Sequence, residues 1–402
     1  MDAHPIVVAG HTCLDVIPTL PPAESNLAAL LMPGTLRRVG PLSVATGGAV
    51  PNTGLALHRL GTAVRLVGKV GDDLVGRAIL EIIAGHSPSL TGTMVVVPGD
   101  SSSYTVILSS PGLDRAFLHY PGPNDTFCAA DVPDAALSGA RLFHFGYPPL
   151  MRGIYLEDGR ELVALLQRAR GHGLVTSLDI SAPDPDSEAG HVDWHGYLSH
   201  VLPYVDLFLP GFEETLWMVD RARYADLVAQ AGEAGPLTRA DGKLLGELSR
   251  ALLDMGAAVV GLKLGDQGMY LRTTRDPDRL SAVTEPMGLS LRRWLDRELL
   301  APAFEARLVG TTGAGDCAVA GFLMGLVQGL DAEAVLTAAV AVGACNVEAA
   351  DAVSGVPGWG QVQRRIAAGW ARLPTRLALR SWGWEVDRGL WFGPGDRGGT
   401  LA

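Results

Sequence analysis

The sequence predicts an α/β fold in which a mostly parallel sheet is covered by helices and accompanied by a small β-sheet lid. Short stretches rich in β-branched residues alternate with helix-like stretches that end near glycine. This alternation is typical of parallel sheets whose strands are connected through helices. Two regions, about 16–45 and 91–122, contain strand and turn patterns without an intervening helix. We expect these two regions to form an antiparallel lid beside the main sheet.

The individual elements follow from composition and from the residues that bound them. Each predicted strand is short and apolar, and each predicted helix ends near a glycine, the residue best suited to a helix C-terminus. In chain order the strands are PIVVAG (5–10), AVRLVGKVG (63–71), TMVVVPG (93–99), YTVILSS (104–110), RLFHFG (141–146), LVTSLDI (174–180), VDLFLP (205–210) and AAVVGLKLG (257–265). The clearest helices are NTGLALHRLG (52–61), LVALLQRARGHG (162–173) and LLGELSRALLDMG (244–256). From about 373 the chain is rich in glycine, arginine and tryptophan, and its pattern indicates no role.

Composition limits the classes of function. The chain has 402 residues, 48% of them apolar, which is enough for a large domain with a substantial core. A formal net charge of −11 argues against a general nucleic-acid binder. The first residues carry no basic leader and no stretch reaches the roughly 18 apolar residues of a membrane span, so we expect a soluble, cytoplasmic protein. The four cysteines are far apart and predict neither a disulfide framework nor a zinc site.

The stretch VGTTGAGDCAVAGF, residues 309–322, suggests a chemical site. Gly313, Ala314 and Gly315 have little or no side chain and lead into Asp316 and then into a helix-like run. The first N–H groups of a helix lack internal partners and the helix dipole adds positive charge, so such a start can hold an anion. A carboxylate there repels a resting phosphate but can accept the proton of a hydroxyl that attacks the phosphate. The stretch therefore indicates phosphoryl transfer to an alcohol.

Other interpretations of this stretch are open. Asp316 can simply cap the helix while the glycines make a tight turn. Gly313, Gly315 and Ala318 also match the dinucleotide-binding pattern G-x-G-x-x-G/A, although the residues that follow continue as helix rather than as a βαβ unit. The pattern G-x-x-x-x-G-K-[ST] is absent from the sequence, which excludes the ordinary P-loop route to ATP.

Two signatures make the chain resemble the ribokinase-like (PfkB) carbohydrate kinase family. TTGAGD at 311–316 resembles the family's C-terminal signature, and GGAVPNTGLALHRLG at 47–61 followed by VGKVGDDLVG at 67–76 resembles its N-terminal one. Shorter matches are GHTCLD (10–15), GPN (122–124), LPGFEE (209–214) and LKLGDQG (262–268). The resemblance implies a three-layer α/β/α kinase domain over residues 1–372, with the lid segments inserted in its core. An extension of unknown role would follow at 373–402.

The resemblance also implies roles for matching residues. The catalytic set would be Asp316 as base with the backbone of Gly313, Ala314 and Gly315, and the acceptor set would be Asp15, Gly47, Gly48 and Asn52. Asn52 can instead cap a helix, and Asp15 can be a turn residue. Arg115 lies in the proposed lid, where it can pair with a substrate carboxylate or phosphate or can be a surface arginine.

The nucleotide and its metal ion would lie near the remaining matches. The residues expected to bind ATP are Lys263, Gly265, Gly268, Thr312 and Asn346, although Lys263 can also be a surface lysine at a strand end. Glu214 matches the glutamate of the family's Asn-x-x-Glu motif and would support the hydration shell of Mg²⁺, a hard cation that suits a carboxylate. Two positions depart from the family pattern. Gly211 stands where the family has asparagine, and Gly310 stands where it often has the aspartate associated with monovalent cations, which argues against activation by potassium.

These observations predict a kinase that transfers the γ-phosphoryl group of ATP to a hydroxyl of a sugar, sugar acid or nucleoside. Closure of the lid would exclude water from the reaction. The alternative is a ligand-binding or regulatory protein on the same fold, which Gly211 and Gly310 favour and the intact Asp316 opposes. The sequence does not identify the acceptor. We also expect a homodimer through the lid, and neither nucleic acid nor membrane as a partner.

Overall fold

The computed structural model of the protein describes residues 4–21, 33–108 and 116–398. Its strands are β1 (Ile6–Gly10), β2 (Cys13–Pro18), β3 (Leu42–Gly47), β4 (Val64–Val67), β5 (Lys69–Gly71), β6 (Val95–Val97), β7 (Tyr104–Leu108), β8 (Ala116–Tyr120), β9 (Leu142–Gly146), β10 (Val175–Asp179), β11 (Leu207–Phe208), β12 (Val259–Lys263), β13 (Met269–Thr273), β14 (Glu298–Ala301), β15 (Gly383–Glu385) and β16 (Leu390–Phe392). Its helices are α1 (Ala49–Leu60), α2 (Leu74–His86), α3 (Asp134–Leu137), α4 (Arg152–Tyr155), α5 (Arg160–Gly171), α6 (Trp194–Val201), α7 (Phe212–Val219), α8 (Arg221–Ala231), α9 (Gly242–Asp254), α10 (Pro277–Met287), α11 (Leu291–Trp294), α12 (Ala314–Val327), α13 (Ala332–Asn346) and α14 (Trp359–Ala367).

A ten-stranded sheet forms the centre of the described structure, in the order β15-β16-β14-β13-β12-β11-β10-β9-β1-β4. Neighbouring strands pair in parallel along one part of this sheet, which consists of β4, β1, β9, β10, β11 and β12. Beyond β12 the pairing is antiparallel, through β13, β14, β16 and β15. The prediction of an α/β fold with a mostly parallel central sheet is therefore confirmed.

Side chains of the sheet alternate between two cores, one on each face. In β1, Ile6 and Val8 belong to one core, whereas Val7 and Ala9 belong to the other. Helices α1, α2 and α10 to α14 cover the first face, and α3 to α9 cover the second. This is the three-layer α/β/α arrangement expected from the sequence. Among the helices of the described ranges, none has the length and apolar character needed to cross a bilayer.

The lid is a separate four-stranded sheet in the order β3-β2-β7-β8. The pairs β2–β3 and β7–β8 are antiparallel, as predicted, but β2 and β7 pair in parallel. The antiparallel prediction is wrong for this central pair because a long connection through α1 and α2, rather than a hairpin, joins β2 to β7. Strand β6, expected in the lid, pairs instead with β5 in a two-stranded sheet. Parts of both lid segments, residues 22–32 and 109–115, lie outside the described ranges.

The chain beyond 373 continues the main sheet. Strand β16 pairs with β14, and β15 pairs with β16. Trp382 and Leu390 are buried in the two cores. Asp396 forms an ion pair with Arg297, with 3.2 Å from Oδ2 to Nε and each side chain only 5% exposed. The sequence indicated no element here because three-residue strands are too short to show a periodic pattern.

Candidate active site

The carboxyl ends of neighbouring parallel strands bring polar residues to one edge of the main sheet. His11 follows β1 and Tyr147 follows β9, while β10 ends in Asp179 and β12 ends in Lys263. These strands lie side by side in the order β1-β9-β10-β11-β12, so their ends converge. Open α/β sheets bind their ligands at this edge. Asp316 in the first turn of α12 also lies here, because Tyr147 and Asn52 both donate hydrogen bonds to it.

The start of α12 combines bare backbone with one buried carboxylate. The residue that precedes the helix is Gly313, whose φ of 71° is left-handed and favours glycine. Among the described residues, no side-chain hydrogen bond caps this end of the helix. The alternative in which Asp316 is the capping residue is therefore wrong. Ala314 donates its N–H to the carbonyl of Thr311 at 3.3 Å, so the N–H groups of the next residues in the first turn are the ones open to an anion.

Three donors hold the Asp316 carboxylate, which is only 3% exposed. Asn52 Nδ2 donates to Oδ2 at 3.0 Å, and the Tyr147 hydroxyl donates to Oδ1 at 2.7 Å. The Thr53 hydroxyl is a longer donor to Oδ1, at 3.5 Å. Burial raises the pKa of Asp316, although the positive charge of Lys263 and these hydrogen bonds oppose the increase. The arrangement fixes a carboxylate that is more basic than an exposed one.

Two residues predicted to bind the acceptor, Asn52 and Asp15, lie near Asp316. Asn52 is inside α1, whose N-cap is Gly48, so Asn52 does not cap this helix. Asp15 lies in β2 rather than in a turn, and it is 8% exposed. Its carboxylate packs directly on the backbone of Gly47, where a Cβ would overlap both oxygens. Burial raises the pKa of Asp15 to about 6; the hydrogen bond from Cys13 opposes the rise and the nearby charge of Asp316 adds to it.

His11 is a functional candidate that the sequence did not single out. It is 2% exposed, and neither ring nitrogen has a hydrogen-bond partner in the described part of the chain. A Cβ on Gly48, where φ is 93°, would lie 2.6 Å from its Nδ1, so glycine allows this approach. The ring also faces His119 of the lid, with 5.1 Å between centroids. Burial and the neighbouring His119 lower the pKa of His11 to about 3, so the ring is neutral and offers one donor and one acceptor.

Lys263, which also lies near Asp316, forms a buried ion pair with Asp179. Nζ lies 2.6 Å from Asp179 Oδ2, and the two side chains are 16% and 0% exposed. Lys263 is therefore not a surface lysine. A Cβ placed on Gly315 would lie 3.6 Å from Nζ, so the ammonium lies beside the glycine turn. Burial opposes the charge of Lys263, but the carboxylates of Asp179 and Asp316 outweigh it and raise its pKa. Burial also raises the pKa of Asp179 to about 7 against the influence of Lys263.

A cavity of about 380 Å³ opens next to this pair. Its lining includes Tyr147, Glu214, Lys263, Gly265, Gly313, Gly315 and Asp316. The structure thus brings together the predicted base, two of the three predicted turn residues, two predicted nucleotide ligands and the predicted metal ligand. Glu214 and Asp316 therefore line the same cavity, although they are more than 50 positions apart in the sequence.

Three further residues were predicted to bind a ligand: Asn346, Gly268 and Arg115. Asn346 Nδ2 donates to the carbonyl of Thr312 at 2.8 Å, close to the glycine turn. Gly268 does not line the cavity; a Cβ there would overlap the Ala301 carbonyl, so close packing after the β12–β13 turn explains this glycine. Arg115 lies outside the described residues.

The two departures from the family pattern have steric consequences. A Cβ on Gly211 would overlap the carboxylate of Glu214, so the present position of Glu214 depends on this glycine. A Cβ on Gly310 would lie 2.9 and 3.0 Å from the carbonyl oxygens of Ala349 and Ala350, which leaves little space for a larger residue.

Tyr147 and Asp179 were also missed by sequence reasoning. Tyr147 has a left-handed backbone, with φ 68° and ψ 48°, which is unusual for an aromatic residue and is typical of functional sites. Each of the missed residues ends or follows a buried strand, in VVAGH, LFHFGY and VTSLD. A polar residue at the carboxyl end of a buried parallel strand was the available signal.

Comparison with known proteins identifies the family. Residues 4–358 match the pfkB family of carbohydrate kinases. A protein of Archaeoglobus fulgidus described as an uncharacterized sugar kinase is 24% identical over 282 residues, covering 69% of this chain and 89% of the relative. A nucleoside kinase of Methanothermobacter thermautotrophicus is 23% identical over 369 residues, covering 92% and 97%.

Solved structures show the same fold. The fructokinase with bound ATP from Xylella fastidiosa superposes with a TM-score of 0.65 at 18% identity, covering 90% of this chain and 98% of that one. The Arabidopsis thaliana ribokinase complexed with ribose and ATP gives 0.64 at 18% identity, with the same coverage of each chain. These findings confirm the family resemblance noted in the two signatures. The chain belongs to the pfkB family of carbohydrate kinases, and it is an enzyme that transfers a phosphoryl group to an alcohol acceptor.

Proposed function

We propose that this chain transfers the γ-phosphoryl group of ATP to a hydroxyl of a sugar, sugar acid or nucleoside, with Asp316 as the general base. The position of Asp316 carries the proposal. Asn52 donates to its buried carboxylate and Asp15 lies close enough to interact with its charge, while the same carboxylate lines the cavity that contains Lys263 and the glycine turn. A base between a hydroxyl site and an anion site is the arrangement that phosphoryl transfer to an alcohol requires.

The step follows from this arrangement. The acceptor hydroxyl gives its proton to an oxygen of Asp316 as the acceptor oxygen forms a bond to the γ-phosphorus. The bond from the γ-phosphorus to the oxygen that bridges it to the β-phosphate breaks, and ADP leaves with that electron pair. The raised pKa of Asp316 makes the carboxylate a better proton acceptor. Lys263 and the N–H groups in the first turn of α12 stabilise the charge on the transferring group.

Buried polar atoms without a protein partner support a polyol-binding site. Among the described residues these atoms include Asn52 Oδ1 and both ring nitrogens of His11. An unsatisfied buried group costs about 1–3 kcal/mol, so a ligand that supplies hydroxyls at these atoms gains affinity. We assign acceptor hydroxyls to Asp15, Asn52 and His11, with Gly47 and Gly48 allowing close approach. We also propose Arg115, in the segment that the sequence predicts as part of the lid, as a partner for an acidic group of the acceptor.

We propose that ATP binds next to the glycine turn. Lys263 and Gly265 line the cavity from one side. Thr312 and Asn346 lie at the other end of the turn, where Asn346 Oδ1 has no partner among the described residues. We propose these groups as nucleotide ligands, with Gly268 shaping the preceding loop rather than touching ATP.

The charge of the cavity fits a hydrated magnesium ion. Glu213, Glu214 and Asp316 line it, against Lys263 as the cationic lining residue of the described chain. Glu214 makes no ion pair or hydrogen bond within the described ranges, so its oxygens are available to the waters of a hard cation. When bound, Mg²⁺ neutralises phosphate charge. We propose Glu214 as the residue that holds its hydration shell.

A coupled assay of ADP release over a panel of sugars, sugar acids and nucleosides tests the proposed function. We expect one acceptor class to stimulate turnover strongly over the rate without acceptor. Tight sugar binding by calorimetry together with no affinity for ATP in the presence of magnesium would instead support the regulatory alternative. Absence of acceptor-stimulated turnover over the whole panel would contradict the kinase proposal.

The raised pKa of Asp15 predicts pH dependence in acceptor binding. Asp15 is ionised above a pH of about 6 and protonated below it, so a charge-assisted hydrogen bond to the acceptor weakens as the pH falls. The acceptor KM should rise several-fold between pH 8 and pH 5, measured with saturating ATP. Asp15→Asn should show a high KM that no longer varies with pH over this range. A pH-dependent KM retained in Asp15→Asn would contradict the role of Asp15.

The raised pKa of Asp15 also predicts how the stability of the fold changes with pH. Its folded pKa of about 6 exceeds the ordinary value of 3.8, so the folded state binds more protons between these values and stability falls as the pH rises through them. Asp15→Asn should therefore be more stable than the unaltered protein at pH 8, by roughly 3 kcal/mol at most, and equal to it near pH 4. Denaturant unfolding without ligands measures both values.

The outer face of the lid supports a homodimer through the lid. Val44, Tyr104, Leu118 and Tyr120 are between 39% and 59% exposed. The strand register places them on the same face of the lid sheet, away from the face that carries Asp15 and His119. Apolar residues concentrated on one face of a sheet mark an association surface.

We expect sedimentation analysis to find a dimer and Leu118→Glu to convert it into a monomer. Val386→Glu is the matched control, because Val386 is 76% exposed in the C-terminal hairpin, outside the lid. A monomeric unaltered chain at micromolar concentration, or a Leu118→Glu dimer, would contradict the lid interface.

A further inference from the structure

A second and larger concave surface lies away from the active site. This distal groove, of about 1130 Å³, is lined by α9, by the end of β13 and the start of β14, and by the C-terminal tail. It shares no lining residue with the active-site cavity within the described chain. Strand register pairs Lys263 with Met269 and Val259 with Thr273. The groove at Thr273 is therefore at the opposite edge of the sheet, roughly 13 Å from Lys263 along β12.

The unpaired charge of the distal groove is mostly positive. Arg250, Arg275 and Arg380 line it, all three are exposed, and none has an ion pair or hydrogen bond among the residues that the structure describes. Two further arginines of the groove are neutralised by ion pairs. Arg272 contacts Glu298 at 2.7 Å, and Arg279 contacts Asp206 at 2.6 Å.

The carboxylates of the distal groove are mostly engaged. Glu247 pairs with Arg223 at 2.7 Å, and Asp276 caps α10 by accepting from two N–H groups. Of the groove carboxylates in the described chain, Asp254 alone has no such contact. The groove is thus lined by three guanidinium groups and one carboxylate that have no partner among the described residues. This excess of unpaired positive charge occurs in a protein whose formal net charge is −11.

The tail builds one wall of this groove. Arg380, Trp382 and Pro394 belong to it, and all three lie beyond residue 358, where the match to the family ends. Trp382 is held firmly, with its indole packed on the backbone of Gly242 and its ring 6.0 Å from that of Tyr270. This wall of the groove therefore lies outside the part of the chain that matches the family model.

We propose that the distal groove binds a small organic molecule that carries two or more phosphate groups. Guanidinium groups bind phosphate oxygens in bidentate fashion, and three of them without protein partners can hold separate phosphates. Leu253, Trp382 and Pro394 supply apolar surface for the carbon skeleton of the ligand. The volume is sufficient for a molecule of nucleotide size. This proposal does not depend on the assignment of Asp316 or of the acceptor.

Binding of inorganic tripolyphosphate to the full chain tests the proposal, with magnesium omitted and ionic strength held constant. The variant Arg250→Gln/Arg275→Gln/Arg380→Gln removes the three free cations. The matched control Arg160→Gln/Arg292→Gln/Arg364→Gln removes three exposed arginines elsewhere and leaves the same net charge. We expect the groove variant to bind tripolyphosphate at least about tenfold more weakly than the control. Both should keep the turnover of the unaltered chain.

Hydrogen exchange then locates the probe. Tripolyphosphate should slow exchange in α9 and in the tail from Arg380 to Pro394 in the unaltered chain and in the control, but not in the groove variant. Equal affinity of both variants, or protection confined to the glycine turn before α12, would overturn the proposal, because the probe would then bind only at the active site. No binding to the unaltered chain at millimolar probe would overturn it as well.

Discussion

Asp316→Asn should reduce turnover by roughly 10²-fold to 10⁴-fold, the usual loss when a general base is removed. Asparagine has nearly the same shape, so its carbonyl can accept the hydrogen bond from Asn52 while its amide donates to the Tyr147 hydroxyl. The helix start stays intact because Gly313, and not residue 316, precedes α12. Acceptor affinity and melting temperature should therefore remain close to those of the unaltered protein.

The matched control is Asp331→Asn, at the N-cap of the adjacent helix α13. Asp331 accepts a hydrogen bond from the Ala334 N–H at 3.0 Å, and asparagine caps helices as well as aspartate does. The control should keep full turnover. Turnover, acceptor affinity and melting temperature are measured together for both variants. A folded Asp316→Asn protein that retains more than about a tenth of the activity would contradict the role of Asp316 as the base.

The site residues that the sequence could predict are those whose chemistry is local. A glycine turn, a carboxylate and a helix start occur within six residues, so TTGAGD already suggests an anion site with a base. The structure places that base against Asn52, from the other signature, more than 260 residues away. Spacing along the chain cannot give this contact, and only the resemblance between the ordered signatures suggested that the two stretches belong together.

The residues that the sequence missed depend on strand order. His11, Tyr147 and Asp179 approach Asp316 because β1, β9 and β10 are neighbours, although β1 is separated from β9 by the whole lid and three helices. Apolar runs show that these segments are strands but do not show which strands pair. The same limit explains the lid, where the hairpin expectation holds for β7 and β8 but not for the parallel pair of β2 and β7.

Ending the chain at residue 372 should prevent soluble folding. This truncation deletes strands β15 and β16, exposes the edge of β14, and removes the buried side chains of Trp382 and Leu390. Loss of a buried tryptophan costs about 3–5 kcal/mol and loss of a buried leucine about 2–5. Together these losses are comparable to the about 5–15 kcal/mol that stabilises a typical domain. Soluble yield and thermal unfolding of the truncated chain measure the effect.

A point variant tests the contribution of the tail to stability without shortening the chain. Asp396→Ala leaves Arg297 buried with Glu333 as its remaining carboxylate, 2.8 Å away. Breaking a buried pair costs about 3–5 kcal/mol, and we expect the lower end because Glu333 still shares the charge. Asp387→Ala is the control, since Asp387 is exposed in the turn between β15 and β16.

If the kinase domain ended at 372, as the sequence predicts, the truncated chain would melt like the full one and the two alanine variants would be equally stable. If instead the tail is the outer edge of the main sheet, the truncated chain fails to fold, and Asp396→Ala is destabilised while Asp387→Ala is not.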